Sequence, residues 1–244
     1  MPIRHHFELR ETIATILADR EGDILTACQG MEEARRDIER YILSDPFFRT
    51  SFEPVQVKTD SELIHHMADS AGAAGVGPMA TVAGAVAYYA LCKVRSQGSR
   101  FCVIDNGGDI ALITDHPIKI GLYAGESPLS GKYAFLLGPF KEIYGVCTSS
   151  ATVGHSMSLG NADSVTVFGP DPILIDAVAT AVCNELTPDD HSCFDQRIAG
   201  VDGIFAVFGE KTVIWGNIPL IISAHVDEGL ITAGRVPRYH DRPV

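Results

Sequence analysis

Basic residues are scarce in this chain. Its 244 residues include 19 lysines and arginines against 31 aspartates and glutamates, a formal net charge of -12. That balance argues against a broad surface for nucleic acid or an anionic membrane. Cysteine is present but unorganised: Cys28, Cys92, Cys102, Cys147, Cys183 and Cys193 sit singly, with no Cys-x-x-Cys pair and no regular spacing. The opening MPIRHHFELRE has no apolar signal core, so a reducing, cytoplasmic setting is the expectation. No internal repeat, low-complexity segment or linker stands out, which leads to one domain over residues 1–244 with a loosely held polar tail from about 236. The uncharged stretch Ala71 to Cys92 is mostly Ala and Gly, with Pro78 inside it. It is too weakly hydrophobic for a membrane span and reads as a buried loop and helix.

What is there is ordinary enough for a packed core: 46% hydrophobic residues and 20% charged ones. Phe7 to Leu17 and Asp23 to Ala27 read as strands joined around Ala18 to Gly22, where Glu21-Gly22-Asp23 supplies turn chemistry. Met31 to Leu43 has helical periodicity, Pro54 to Lys58 is short and strand-like, and Thr59-Asp-Ser-Glu62 matches a capping box for a helix to about Ser70. On that helix His65-His66 lacks a third ligand at zinc spacing. Gly72 to Pro78 is a glycine loop feeding an apolar helix, Met79 to about Gln97. A helix start of that kind can hold a phosphate, and small residues there also let a helix pack closely on a sheet. No Gly-Lys-Ser/Thr follows, so it is not a P-loop. Arg100 to Asp105 and Ile110 to Thr114 flank Asn106-Gly107-Gly108-Asp109, a hairpin turn whose glycines would also admit a ligand close to the backbone. Strands near Ile118 to Tyr123 and Lys132 to Leu137 come next. Pro188 to Arg197 reads as a lid or as an inter-subunit loop of a homo-oligomer. Gly203 to Phe208 and Lys211 to Trp215 form a last hairpin, continued by Ile218 to Ile222. Strands paired as hairpins as well as separated by helices favour an α+β fold with a largely antiparallel sheet.

Gly145 to Asn184 is the most distinctive segment: a Thr-, Ser- and Gly-rich loop with His155, a strand from Ser164 to Phe168, a Gly-Pro-Asp-Pro turn and a helix from about Pro172 to Leu186. Asp171 is a good N-cap and Pro172 a good first helical residue. The helix is apolar nearly all round except for Asp176, and a lone buried carboxylate is costly. Asp176 therefore caps a neighbouring backbone N–H, pairs with an arginine, or joins Thr180, one turn along the same face, as an oxygen ligand of Mg²⁺. Cys147 and His155 lie close enough in sequence to suggest a thiol nucleophile and its base, a weak cue without geometry.

Three blocks in this order resemble the ApbE superfamily of Mg²⁺-dependent FAD:protein FMN transferases. They are Met79-Ala-Thr-Val-Ala-Gly-Ala-Val-Ala, Asn106-Gly-Gly-Asp-Ile, and the segment with Thr148-Ser-Ser, His155 and Asp176-Ala-Val-Ala-Thr180. The whole chain is most similar to an uncharacterised bacterial and archaeal sister family. The resemblance implies a T-fold-like α+β domain. It also implies Mg²⁺ held by Asp176, Thr180 and the carbonyl of Ala80, and a flavin nucleotide such as FAD contacted by Asn106, Gly107, Gly108 and Asp109 with Thr148 and Ser149. His155 would lie near the pyrophosphate as a catalytic residue, and the partner would be an acceptor protein receiving FMN on Thr or Ser. FAD-pyrophosphate cleavage and a non-catalytic small-molecule-binding or assembly role are the other functions such a site allows. Two positions depart from the family pattern: Ala83 stands where a lysine is expected and Ser158 where a carboxylate is expected. Lys93, Arg95 and Lys132 are the candidates to replace the missing cation.

Overall fold

The computed structural model describes residues 2–150, 162–194, 199–226 and 231–232. The chain opens with strands β1 (Ile3–Leu9) and β2 (Thr12–Ala18), followed by helices α1 (Glu21–Ser44), α2 (Phe47–Thr50) and α3 (Glu62–Ala74). A 3₁₀ turn (Pro78–Thr81) runs into α4 (Val82–Ser96). Strands β3 (Cys102–Asn106), β4 (Asp109–Thr114), β5 (Ile118–Gly121), β6 (Tyr133–Leu137), β7 (Phe140–Ser149) and β8 (Ser164–Gly169) come next. Helix α5 (Pro172–Glu185) precedes β9 (Gly203–Phe208), β10 (Lys211–Gly216) and β11 (Leu220–Ser223).

Among the described residues the strands form two sheets. The larger has the order β1-β2-β3-β4-β7-β8-β9-β10, every neighbouring pair antiparallel, and the smaller has the order β11-β6-β5. This is the α+β, largely antiparallel architecture that the hairpin pattern implies. Side chains alternate between the faces of a strand, so the larger sheet has two separate apolar surfaces. One carries Ile16, Ile104 and Ala111 under α1 and α4, and Val165, Val167 and Ile204 under α5. The other carries Val103, Leu112, Phe168 and Phe205 and is covered by the smaller sheet, whose Phe135 meets Phe168 and Phe205 edge-on at 4.9 and 5.5 Å. Helices α4 and α5 are thus pressed between the sheet and the other helices, which explains their near-continuous apolar sequences.

Several expected elements differ from those observed. Asp23 to Ala27 is the start of α1, and the chain reverses earlier, at Arg10-Glu11, with Arg10 at φ 55°. Glu21 and Asp23 suit a turn, but they also suit the first turn of a helix, where the dipole favours acids. Asp23 is settled there by Arg20, 2.7 Å from its Oδ1, and by the Ser99 hydroxyl at 2.9 Å. Ser61 caps α3, accepting from Ile64 N–H at 3.2 Å, and Thr59 supports Ser61 instead of capping the helix itself. Residues 54–58 lie outside both sheets. The strand near 218–222 runs from Leu220 to Ser223 and belongs to the smaller sheet. The largest omission is β7, ten residues paired on both sides, whose Gly, Thr and Ser read locally as a loop. Thr148 and Ser149 therefore lie on a strand. Among the described residues no single helix is long and apolar enough to cross a membrane; Glu62–Ala74 and Pro78–Ser96 would qualify only as a pair, and they bend by 105°.

Candidate functional site

Helices α4 and α5 meet at Gly84. A Cβ there would stand 2.4 Å from the Pro172 carbonyl oxygen and 3.0 Å from Asp176 Cβ, so only a residue without a side chain lets the first turn of α4 lie against α5. The approach brings the Asp176 carboxylate to the open end of α4. Its Oδ2 accepts from Gly84 N–H at 2.8 Å, and Ala83 N–H is a second donor. Thr81, just before α4, makes no side-chain cap, so a residue of another helix satisfies donors that the helix start leaves open. Of the roles open to Asp176, capping a backbone N–H is the one present, and no arginine pairs with it among the described residues. Burial still pushes its pKa up to about 7, because two amides offset only part of the lost hydration.

A second carboxylate reaches this place from the sheet. Asp109 begins β4, opposite Asn106 on one side and Cys147 on the other. Burial, followed by the charges of Asp176 and Asp105, raises its pKa well above the usual carboxylate range. Its Oδ1 is shut off from solvent and has no hydrogen-bond partner. The Thr148 backbone amide supports this carboxyl, and the Cys147 thiol lies beside it, both uncharged. Asp176 thus disfavours charge on Asp109, and with no basic side chain beside either acid among the described residues, the pair favours holding a proton or taking up a cation.

The Asn106–Asp109 turn is fixed to the same helix end. Asn106 Nδ2 donates to the Ala83 carbonyl at 3.1 Å, and Gly107 and Gly108, at φ 71° and 105°, close the hairpin. Ala80, in the 3₁₀ turn, packs against the cluster of Ala71, Val76 and Ala177, which brings the turn against α5. Thr180 is half-buried one turn beyond Asp176. Ser149 is buried at the end of β7, on the face shared with Cys147. Thr148 is not gathered in: its hydroxyl meets Thr166 Oγ1 at 3.0 Å on the opposite face of the sheet, and only its backbone reaches Asp109. His155 and Ser158 lie outside the described residues.

Neither Lys93 nor Arg95 replaces the lysine expected at Ala83. They stand at the far end of α4, roughly 14 Å or more from Gly84 at 1.5 Å per residue, and are paired with Glu33 and Glu142. Lys132 belongs to the smaller sheet's side of the molecule, where its carbonyl accepts from Ala224 N–H. The Cys147 thiol donates to the Pro172 carbonyl at 3.4 Å, and burial with Asp109 and Asp176 keeps its pKa far above normal, so it is no thiolate nucleophile. Among the described residues no three His, Cys, Asp or Glu side chains form a metal-sized cluster. A cation here would take oxygen from backbone, hydroxyl and carboxylate together, as Mg²⁺ does.

Two features of the region were not apparent in the sequence. Gly84 sits inside a helical pattern, where an isolated glycine signals close packing without naming the partner. The bond between His66 Nε2 and Asp171 Oδ2, 2.8 Å long, ties α3 to the residue that caps α5, and a separation of 105 positions leaves no local trace of it.

The architecture is that of the ApbE flavin transferases. A mutant of the flavin transferase ApbE from Vibrio cholerae matches with a TM-score of 0.59 at 12% identity, covering 88% of this chain and 97% of that one. The apo flavinyl transferase ApbE from Pseudomonas stutzeri matches with a TM-score of 0.56 at 12% identity, over 96% of this chain and 98% of that one. At such identity these likenesses establish the fold. The family follows from closer comparisons. The family model described as AbpE bacteria matches residues 3–201, and UPF0280 proteins are 62% identical in Methanospirillum hungatei, over 96% of both chains, and 52% identical in Methanosphaerula palustris, over 96% of this chain and 99% of that one. The chain belongs to this ApbE-like family.

Proposed function

We propose that the chain binds a flavin nucleotide or a related pyrophosphate together with Mg²⁺, at the point where α4, α5 and the Asn106–Asp109 turn converge. The observation that carries this reading is the pairing of buried Asp176 with half-buried Asp109, whose Oδ1 is shut off from solvent without a partner, and neither acid meets a cation among the described residues. Residues that would hold Mg²⁺ are Asp176, Thr180 and the Ala80 carbonyl, with Asp109 close by. A bound Mg²⁺ would supply Lewis-acid polarisation of a pyrophosphate oxygen. The protein's own contribution is placement. Asn106 anchors the turn to the start of α4, Gly107 and Gly108 leave backbone exposed to an approaching nucleotide, and Asp176 aligns the two helices. Asp109 and Asp176 retain a proton between them until a cation replaces it. His155 is proposed as the residue beside the pyrophosphate, with Ser149 near the nucleotide, and transfer of FMN to a protein Ser or Thr as the reaction. Incubation with FAD and Mg²⁺ tests this: AMP release that depends on Asp176 supports a transferase or pyrophosphatase.

Ala83 favours a second reading. With alanine where the resemblance calls for lysine, and Lys93 and Arg95 engaged elsewhere, one positive charge near the phosphates is missing among the described residues. A protein that binds the nucleotide and presents it without turnover fits that loss. FAD binding without AMP release distinguishes it from the enzyme.

A further inference from the structure

Glycines at 107 and 108 give the Asn106–Asp109 turn no side chain to limit its backbone, so its shape must be held from outside. The residues just before them do this from opposite faces of the sheet. Asn106 ties the turn to Ala83 on the helix side. Asp105 works from behind, its Oδ1 accepting from Gly108 N–H at 2.9 Å. Burial raises the Asp105 pKa, and the contacts that oppose this are the Thr232 side chain, the Gly108 amide and the charge of Arg4. Thr232 is itself buried, and its hydroxyl bonds Thr15 Oγ1 at 2.8 Å. Thr15 is the register partner of Asp105 across β2 and β3, and the Arg4 guanidinium stands 3.5 Å from its hydroxyl. A residue from near the far end of the chain thus completes a polar cluster directly behind the turn. It lies outside residues 3–201, where the family model matches. Buried polar clusters hold their geometry only when every member is satisfied.

We infer that Asp105 and Thr232 are positioning residues for the nucleotide-binding turn: Thr232 fixes the Asp105 carboxyl, which in turn fixes the Gly108 backbone. The inference rests on the proposed nucleotide site, yet the brace can be measured without any ligand. The full chain is compared with Thr232→Val, which keeps the shape and loses the hydroxyl, and with Thr232→Ser, which keeps the hydroxyl. Hydrogen exchange of peptides spanning residues 106–110 is followed without ligand, and FAD is titrated in the presence of Mg²⁺ below the unfolding range. Loss of one buried hydrogen bond predicts exchange faster by roughly fivefold to tenfold and FAD affinity weaker by a similar factor in Thr232→Val, with Thr232→Ser close to wild type. A purely structural role would lower the melting temperature and leave affinity unchanged. Wild-type FAD binding that Thr232→Val does not weaken, or unchanged exchange at the turn, overturns the inference. If wild type binds no FAD, the proposed function fails, and exchange at the turn alone decides whether the brace exists.

Discussion

Replacing Asp176 by asparagine separates its structural role from its chemical one. Asparagine keeps an oxygen for Gly84 N–H and is close to the same size, so the main bond of the cap on α4 survives while the one from Ala83 N–H is weakened. What it removes is a charge that the fold disfavours. A carboxyl moved from its ordinary value of 3.8 to about 7 carries a penalty of roughly 4 kcal/mol once ionised, at 1.36 kcal/mol per pH unit. The sign follows from proton counts. Between those two values the folded state binds more protons than the unfolded one, so stability falls as pH rises through the window and stays low above it. At pH 8 without metal, Asp176→Asn is therefore expected to be as stable as wild type or up to a few kcal/mol more so. For a chain of this size that is several degrees in melting temperature. With FAD and Mg²⁺ the order reverses, because wild type gains the free energy of binding and the variant does not. Melting temperatures read at pH 5 and pH 8, with and without FAD and Mg²⁺, provide the assay. A variant that is much less stable at pH 8 without ligand would show that the carboxylate's charge is stabilising, and the reasoning about an uncompensated acid would be wrong.

Gly84→Ala is expected to destabilise by about 1–3 kcal/mol in chemical denaturation, because the added methyl meets main-chain atoms of α5 that cannot move aside independently; unchanged stability would mean the helices are free to part. The His66–Asp171 pair has its own pH signature. The His66 pKa is raised chiefly by its hydrogen bond to Asp171, so its contribution is complete below the ordinary histidine value near 6.5 and is lost as pH rises through the folded value. The Asp171 pKa is lowered despite burial, first by His66, so its contribution is lost on acidification below the usual carboxylate range. The difference in melting temperature between wild type and His66→Ala should accordingly be greatest at mildly acid pH and shrink on either side. Cys147 should resist iodoacetamide in the native protein and react after unfolding, as read by mass spectrometry of its peptide.

Local sequence revealed those parts of the fold whose cause is local. The Asn106–Asp109 hairpin, the Asp171 cap with Pro172 and the buried character of α5 each follow from neighbouring residues, and each is present. Strand β7 was hidden because its Gly, Thr and Ser are held extended by β4 and β8, partners distant in sequence. The start of α1 was hidden for a related reason: Glu21-Gly22-Asp23 suits both a turn and a helix, and the buried contact of Asp23 with Ser99 belongs to the helix. At the site, Asp176 and Asp109 could each be singled out, one as a polar residue in an apolar helix and the other from a turn motif. Their meeting could not be, since it depends on the close crossing of α4 and α5 at Gly84 and on the strand order of the larger sheet.

The most direct test of the central claim is a titration of FAD into the full chain at pH 7.5, followed by flavin fluorescence, with Mg²⁺ and then with excess EDTA. A site shared by Mg²⁺ and a flavin nucleotide gives saturable binding with Mg²⁺ that EDTA weakens at least tenfold and that Asp176→Asn abolishes. Equal binding with and without Mg²⁺, or no binding by wild type, would contradict it.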